Sequence, residues 1–423
     1  MKRRDFLKAA GAAAGASAFA GPMAGCAGGP SGKARVVIVG GGFGGATAAK
    51  YLRLWDPAIE VILVERASLY TSCPMSNLVL AGATSVEEIR LSYAGLRAHG
   101  VQFVNDEVTG IDAARRVLRL ERGGELAWDR LVVSPGIDFN FGELQGYETA
   151  MRENRVLHAW KAGAQTTELR RQLEQMRDCG VFVLSVPPAP YRCPPGPYER
   201  ASLVAEYFKR AKPRSKVLVL DANPDLTSKA GLFKAAWRDH YAGIIEYRGN
   251  ARAIGVDAAT MTLRLEVDDV KGDVLNVIPP HGAGDVARQA GLVTTNNRWC
   301  DVDWRTMESK AAPGIHVLGD ATLSAPAMPK SASMASAHGK VAVAAIVELV
   351  NGRVPAPMQV LNTCYSFVSQ KEAIRVSSVH AWDEKDATLK PVAGSGGVSA
   401  ARSEAEGTYA WNWARTIWAD SFG

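Results

Sequence analysis

The stretch from Arg35 to Arg66 constrains the fold of this chain more than any other. Val36 to Val39 is a short apolar, β-branched run, the pattern of a strand buried on both faces. It ends in Gly40, Gly42 and Gly45, spaced G-x-G-x-x-G, and Ala46 to Leu54 then has helical composition. Ile59 to Val64 is a second buried strand, closed by Glu65 twenty residues after the last glycine. Each part has a physical task. Gly40 permits a sharp turn, Gly42 lets the backbone approach a pyrophosphate, and Gly45 lets the helix pack close to the strand. The helix N-terminus offers unpaired N–H groups and a positive dipole end to phosphates. Glu65 can accept hydrogen bonds from adenosine ribose hydroxyls. The glycine spacing alone is a weak signal. Two flanking strands and a correctly placed acid turn it into a dinucleotide site.

The 423 residues suffice for two or three domains, and 47% apolar with 22% charged residues is an ordinary globular balance. Lys2-Arg3-Arg4-Asp5-Phe6-Leu7-Lys8 is a twin-arginine pattern ahead of a mild Ala/Gly-rich stretch, Ala9 to Ala20. It is too short and weakly apolar to span a bilayer, so it reads as an export leader in residues 1–30, with a periplasmic destination. Ala18-Phe19-Ala20 offers a peptidase site, and Met23-Ala24-Gly25-Cys26 resembles a lipoprotein box that would lipidate Cys26. Without residues 1–26 the chain carries a net charge of +3, too little to argue for nucleic acid. No later stretch reads as long and apolar enough to cross a membrane. The six cysteines form no C-x-x-C and no C-x-x-C-H, so neither a zinc site nor a covalent haem on this chain is expected.

Ser68 to Asn77 is a polar loop after the second strand, and Cys73 within it is a candidate cofactor contact. Val101 to Val104 and Val108 to Ile111 read as short strands, with Val117 to Leu120 and Trp128 to Val133 continuing an antiparallel meander. Val108 and Gly136, the latter in the turn Val133-Ser134-Pro135-Gly136, are further candidate cofactor contacts. A helix, Ala162 to Arg177, leads to a buried strand, Val181 to Val186. A nicotinamide-binding domain would now need a second glycine loop. Instead residues 187–197 hold six prolines in eleven positions, a stiff turn short of the N–H donors a pyrophosphate requires. A helix (Tyr198 to Lys212) and a strand (Lys216 to Leu220, then Asp221) keep the βαβ scaffold. Further on, Gly314 to Asp320 is a buried strand ending Gly-Asp, and Asp320 can bind ribityl or ribose hydroxyls. His316 and His338 belong to no acid–base set. Three tryptophans between Tyr409 and Trp418 suggest packing or a partner surface.

Taken together, the stretches Val36 to Leu52, Cys73 to Asn77, Tyr93 to Val101, His158 to Gly163, Tyr191 to Ser202, Gly314 to Ala321 and Leu361 to Ser366 closely resemble the flavoprotein subunits of flavocytochrome c sulfide dehydrogenase, within the disulfide-reductase-like FAD proteins. The resemblance implies an α/β fold of two Rossmann-like, glutathione-reductase-like domains and a C-terminal α+β interface domain. The FAD domain would comprise 31–150 and 301–352, the second domain 151–300 and the interface domain 353–423. It implies that Cys73 links to the FAD 8α-methyl group, although Ser72 and Pro74 depart from the family pattern around it. Cys193 and Cys364, 171 positions apart, match a redox-active disulfide. Sulfide would open that disulfide by thiol–disulfide exchange. Electrons would pass through FAD to haem c on a separate cytochrome subunit. Alternatives are a type II NADH dehydrogenase, a sulfide:quinone oxidoreductase, an accessory flavoprotein of a sulfur-oxidation system, and a silent subunit in which flavin serves structure.

Overall fold

The computed structural model describes residues 32–423. The twin-arginine pattern, the Ala18-Phe19-Ala20 site and Cys26 lie outside the described residues.

The central sheet has seven strands. The strand Ala34–Val39 lies between Ile59–Val64 and Arg130–Val133, parallel to both; Gln102–Val104 extends one side and Ile315–Val317 the other. These strands are apolar on both faces because both are buried, under the helix Phe43–Trp55 and among apolar residues such as Leu118 of an antiparallel meander, as a parallel sheet requires. That requirement corrects one expectation. Trp128 to Val133 is not the end of an antiparallel meander: Arg130–Val133 is a buried inner strand of the parallel sheet. The meander is instead Val108–Asp112, Val117–Leu120 and Glu125–Ala127, half-exposed strands that alternate in burial.

A second sheet of four parallel strands, ordered Ile245–Arg248, Lys216–Asp221, Val181–Val186 and Val274–Val277, keeps the βαβ scaffold. The C-terminal segment forms an antiparallel sheet of Val360–Phe367, Ala373–Asp383 and Thr388–Pro391, followed by the helix Glu404–Phe422.

The helix Ala332–Val350 has the length and apolar composition of a membrane span, against the expectation that no such stretch exists. Here its apolar residues are buried against the helix Phe43–Trp55. The two approach closely because small residues face each other. A methyl group on Gly339 would lie 2.7 Å from the Gly44 carbonyl oxygen. The C-terminal helix closes over the same region: Ser421 Oγ lies 2.9 Å from Thr47 Oγ1, and Tyr51 donates to Asp420 at 2.6 Å. Phe422 stacks on Tyr70 at 5.1 Å between ring centroids, beside Phe43.

Candidate functional site

The glycine turn behaves as its spacing requires. Gly40 has φ +96°, and a methyl group there would lie 2.3 Å from the Ser134 carbonyl oxygen, so both conformation and proximity select glycine. A methyl on Gly45 would lie 1.9 Å from the Gly40 carbonyl oxygen, so helix and strand touch here. Gly42 precedes the helix Phe43–Trp55, whose N-terminus has no side-chain cap. Phe43 and Gly44 of its first turn, whose N–H groups have no intrahelical partner, line a cavity together with Gly40 and Gly42. Glu65 is fixed at the rim, its carboxylate accepting from Gly41 N at 2.7 Å and Ala67 N at 2.9 Å.

The cavity has a volume of about 530 Å³, in the range of small-molecule and cofactor sites. Of the candidates read from sequence, Gly40, Gly42, Glu65, Cys73, Val108, Gly136, Asp320, Cys193 and Cys364 all line it; Gly45 lies behind the turn in the helix–strand contact. Asp320 supplies the test of whether a flavin dinucleotide fits. Its Oδ1 is buried with no hydrogen-bond partner, and a buried unpaired acceptor is costly unless a ligand hydroxyl meets it. With the glycine turn, the bare helix N-terminus and Glu65, this donor and acceptor set suits a pyrophosphate and polyhydroxyl chain. The residues fit FAD.

Three cysteines reach the cavity from different elements as free thiols. Cys73 sits ahead of the helix Ser76–Leu80, its sulfur 3.9 Å from the Trp160 carbonyl oxygen, which also accepts from Arg192. Cys193 lies in the proline-rich turn with φ +56°, a left-handed conformation that non-glycine residues rarely hold. Its N–H donates to Lys330 O at 2.8 Å, and its carbonyl accepts from Gly196 N at 2.9 Å. Gly196 must be glycine, since a methyl there would meet the Trp160 ring at 2.7 Å and Cys193 Sγ at 3.0 Å. Cys364 comes from the strand Val360–Phe367. Its thiol donates to Asn362 Oδ1 at 3.5 Å, and Ser331 Oγ holds that amide at 2.7 Å.

The charges around these sulfurs were not evident from sequence. Burial pushes the Cys193 thiol up, and negative charge at Cys364 and Glu199 adds to it. Burial also raises Cys364, opposed by Lys229 and by hydrogen bonding with Ser331 and Asn362. Glu199 lines the cavity, accepts from Asn77 Nδ2 and Phe367 N at 2.8 Å each, and is raised by burial. Arg200 is 2% exposed and fully engaged: it donates to Asn77 Oδ1, His158 O, Asn276 Oδ1 and Ala159 O at 2.7–3.0 Å, with the Trp160 ring 4.8 Å away. Glu199 and Arg200 stand in the motif Tyr191 to Ser202, whose charged pair was the one signal that could have marked them. His316 and His338 are buried and hold backbone groups, Thr306 O and Gly319 N.

The second sheet has a different chemistry at the matching place. Asp221, the acid at the end of its second strand, is fully buried and taken up by this chain's own groups: Tyr198 OH at 2.8 Å, Tyr247 OH at 3.1 Å and Asn223 N at 2.9 Å. Tyr191 and Thr227 extend the same network, with 2.7 Å between their hydroxyls.

Comparison with known proteins agrees with this geometry. Residues 34–175 match the pyridine nucleotide-disulphide oxidoreductase family, 166–279 the central region of the sulfide dehydrogenase [flavocytochrome c] flavoprotein chain, and 356–422 the flavocytochrome c sulphide dehydrogenase flavin-binding family. A sulfide dehydrogenase [flavocytochrome c] flavoprotein chain of Chlorobaculum thiosulfatiphilum is 60% identical over 48 residues, 11% of this chain and 100% of that sequence. The mitochondrial sulfide:quinone oxidoreductase of Mus musculus is 24% identical over 316 residues, 72% of this chain and 69% of that one. The sulfide:quinone oxidoreductase structure from Aquifex aeolicus shares the fold, with a TM-score of 0.72 at 17% identity over 92% of this chain and 91% of that one.

Proposed function

The chain belongs to the flavoprotein chains of flavocytochrome c sulfide dehydrogenase, FAD-dependent enzymes of sulfide oxidation, and from that membership we propose a mechanism for it. Cys193 and Cys364 form the disulfide that sulfide attacks, Cys73 holds the flavin covalently, and a separate c-type cytochrome subunit accepts the electrons. The protein works in the periplasm after twin-arginine export, with Cys26 as a lipid-anchor site. The observation that carries the reading is the meeting of Cys193 and Cys364, 171 positions apart, at one cavity with Cys73, Asp320 and the glycine turn.

The residues divide the work. Gly40, Gly42, Glu65 and Asp320 bind the dinucleotide, with Val108 and Gly136 as walls. Bound there, FAD would supply a two-electron acceptor and a means of passing electrons on singly. Hydrosulfide forms a bond to one sulfur of the pair while the Cys193–Cys364 bond breaks, leaving a persulfide and a thiolate. The hydrogen-bonded backbone of Cys193 and the Ser331–Asn362 pair at Cys364 hold the two sulfurs in place for that exchange.

The test is an anaerobic titration following flavin absorbance, with sulfide and, separately, with NADH. Bleaching by sulfide that is lost in Cys193→Ser and Cys364→Ser, with NADH inert, is the expected outcome. Rapid bleaching by NADH, or full sulfide turnover in Cys364→Ser, refutes the mechanism. A quinone acceptor is favoured by one specific observation, the similarity to sulfide:quinone oxidoreductases. Reoxidation of the sulfide-reduced protein by a quinone analogue, with cytochrome c inert, would select it.

A further inference from the structure

Lys229 is a cation in an unfavourable place. It is 8% exposed, with a left-handed φ of +53° that costs a non-glycine residue free energy. It also stands as N-cap of the helix Ala230–His240, where the helix dipole repels positive charge. Its ammonium donates to Ser366 Oγ at 2.9 Å, Cys364 O at 3.3 Å and Ile374 O at 3.4 Å. All three acceptors are neutral. A buried ammonium with no carboxylate in contact is expensive, and burial lowers its pKa to about 8. The groups that offset this, and the titratable groups facing it, are Cys364 on its strand, Glu199 on the helix Gly196–Ala211, Cys193 in the turn before that helix, and Glu406 on the C-terminal helix. Two of those four are the sulfurs of the pair.

Hydrosulfide is an anion, and the attack conserves its charge. HS⁻ with the disulfide gives one persulfide and one thiolate: one S–S bond forms, one breaks, and the unit negative charge ends on the leaving sulfur. The hydrosulfide sulfur is oxidised to the persulfide level as the leaving cysteine sulfur is reduced to a thiolate, so no outside oxidant is needed, and the charge must be stabilised within a partly buried pocket that already holds the Glu199 carboxylate.

We propose that the Lys229 ammonium is the positioning residue for this step, offsetting the negative charge that hydrosulfide carries into the Cys193–Cys364 pair. The inference rests on the disulfide reading above. It accounts for the three unfavourable features of Lys229 by one role: a cation held against the Cys364 carbonyl oxygen and Ser366 Oγ, beside the sulfur pair.

The test separates charge from structure by using two reductants. The oxidised protein is treated anaerobically with hydrosulfide or with a neutral phosphine, quenched by alkylation, and the Cys193 and Cys364 peptides are counted by mass. Lys229→Gln, which keeps a hydrogen-bond donor, is expected to slow opening by hydrosulfide at least tenfold while phosphine reduction stays within about twofold. Lys229→Arg, which keeps the charge, is expected to hold the hydrosulfide rate within a few-fold of the parent. Equal slowing with both reductants, or no slowing with either, overturns the inference. Should the variants not fold, the parent protein carries the same test. Corrected for hydrosulfide ionisation, its rate is expected to fall above about pH 8, where Lys229 loses its proton, and the phosphine rate is not. A flat corrected profile overturns it. If oxidised protein yields no Cys193–Cys364 cross-linked peptide, the disulfide reading has failed. If the cross-link forms and opens with charge-blind kinetics, only the role of Lys229 has.

Discussion

Gly45→Ala asks whether the helix–strand contact behind the dinucleotide turn is as tight as the structure makes it. The added methyl would lie 1.9 Å from the Gly40 carbonyl oxygen, and real contacts of this kind essentially never fall below 3.0 Å. The helix Phe43–Trp55 must therefore back away from the turn by the difference, 1.1 Å or more. The obstacle is backbone, so no side-chain rotation relieves it. Overpacking of this kind costs about 1–3 kcal/mol, and a backbone clash belongs at the upper end. Against that, alanine is better than glycine in a helix by about 1 kcal/mol. The clash wins, with a net loss of about 2 kcal/mol. The displaced N-terminus also retracts its N–H groups from the phosphates, so flavin content per chain falls. Gly231→Ala is the control, since it lies in the helix Ala230–His240 with nothing within 4 Å of the added methyl. Only the helix term remains there, and a gain of about 0.5–1 kcal/mol is expected. Urea unfolding followed by circular dichroism reads both. If Gly45→Ala keeps its flavin and its midpoint, or both variants shift in the same direction, the argument from close approach is wrong.

Cys73→Ser should leave flavin bound but no longer covalent, so acid precipitation releases the yellow chromophore to the supernatant; flavin still fixed to the denatured chain would assign the linkage elsewhere. The buried imidazoles predict acid sensitivity. Burial lowers His158 and His338 to about 3 and His316 to about 4, from 6.5. These folded-state values are depressed, so the unfolded chain binds more protons below pH 6.5, and stability present above that value is lost as pH falls toward 4. At pH 5 each histidine accounts for about 2 kcal/mol of the loss relative to pH 7. A urea midpoint at pH 5 equal to or above that at pH 7 would rule this out.

The first βαβ unit was legible because glycine spacing, apolar runs and the acid at Glu65 report on one local unit of about thirty residues. Arg130–Val133 was not assigned to its sheet, because a four-residue apolar run does not say which distant strand it joins. Residues 68–77 read as a plain loop, yet hold the short strand Leu69–Thr71 and the start of the helix Ser76–Leu80, elements too brief to show a period. Cys73 was marked by its loop position, but Cys193 and Cys364 were found through a family motif rather than from spacing, since chain separation carries no distance. Lys229 and Glu199 were missed for a related reason. A lysine at one helix start and a glutamate in the first turn of another look like surface residues until tertiary packing covers them. Asp221 shows the converse: the acid at the strand end is plain in sequence, but its capture by Tyr198 and Tyr247 is not.

The helix Ala332–Val350 has a consequence for how such a chain can be handled before it is finished. Hidden between the first helix and the sheet, it is an ordinary core element. Laid open in an unfolded chain, the same nineteen residues have the length and apolar composition of a membrane span. The order of docking and membrane encounter therefore bears on where this segment ends up. If this helix docks on Gly44 and Thr47 before the chain meets a membrane, the protein is globular; if it meets one first, the same sequence can be stranded there. A route that moves the chain already folded removes that competition, and it also lets the dinucleotide cradle be filled beforehand.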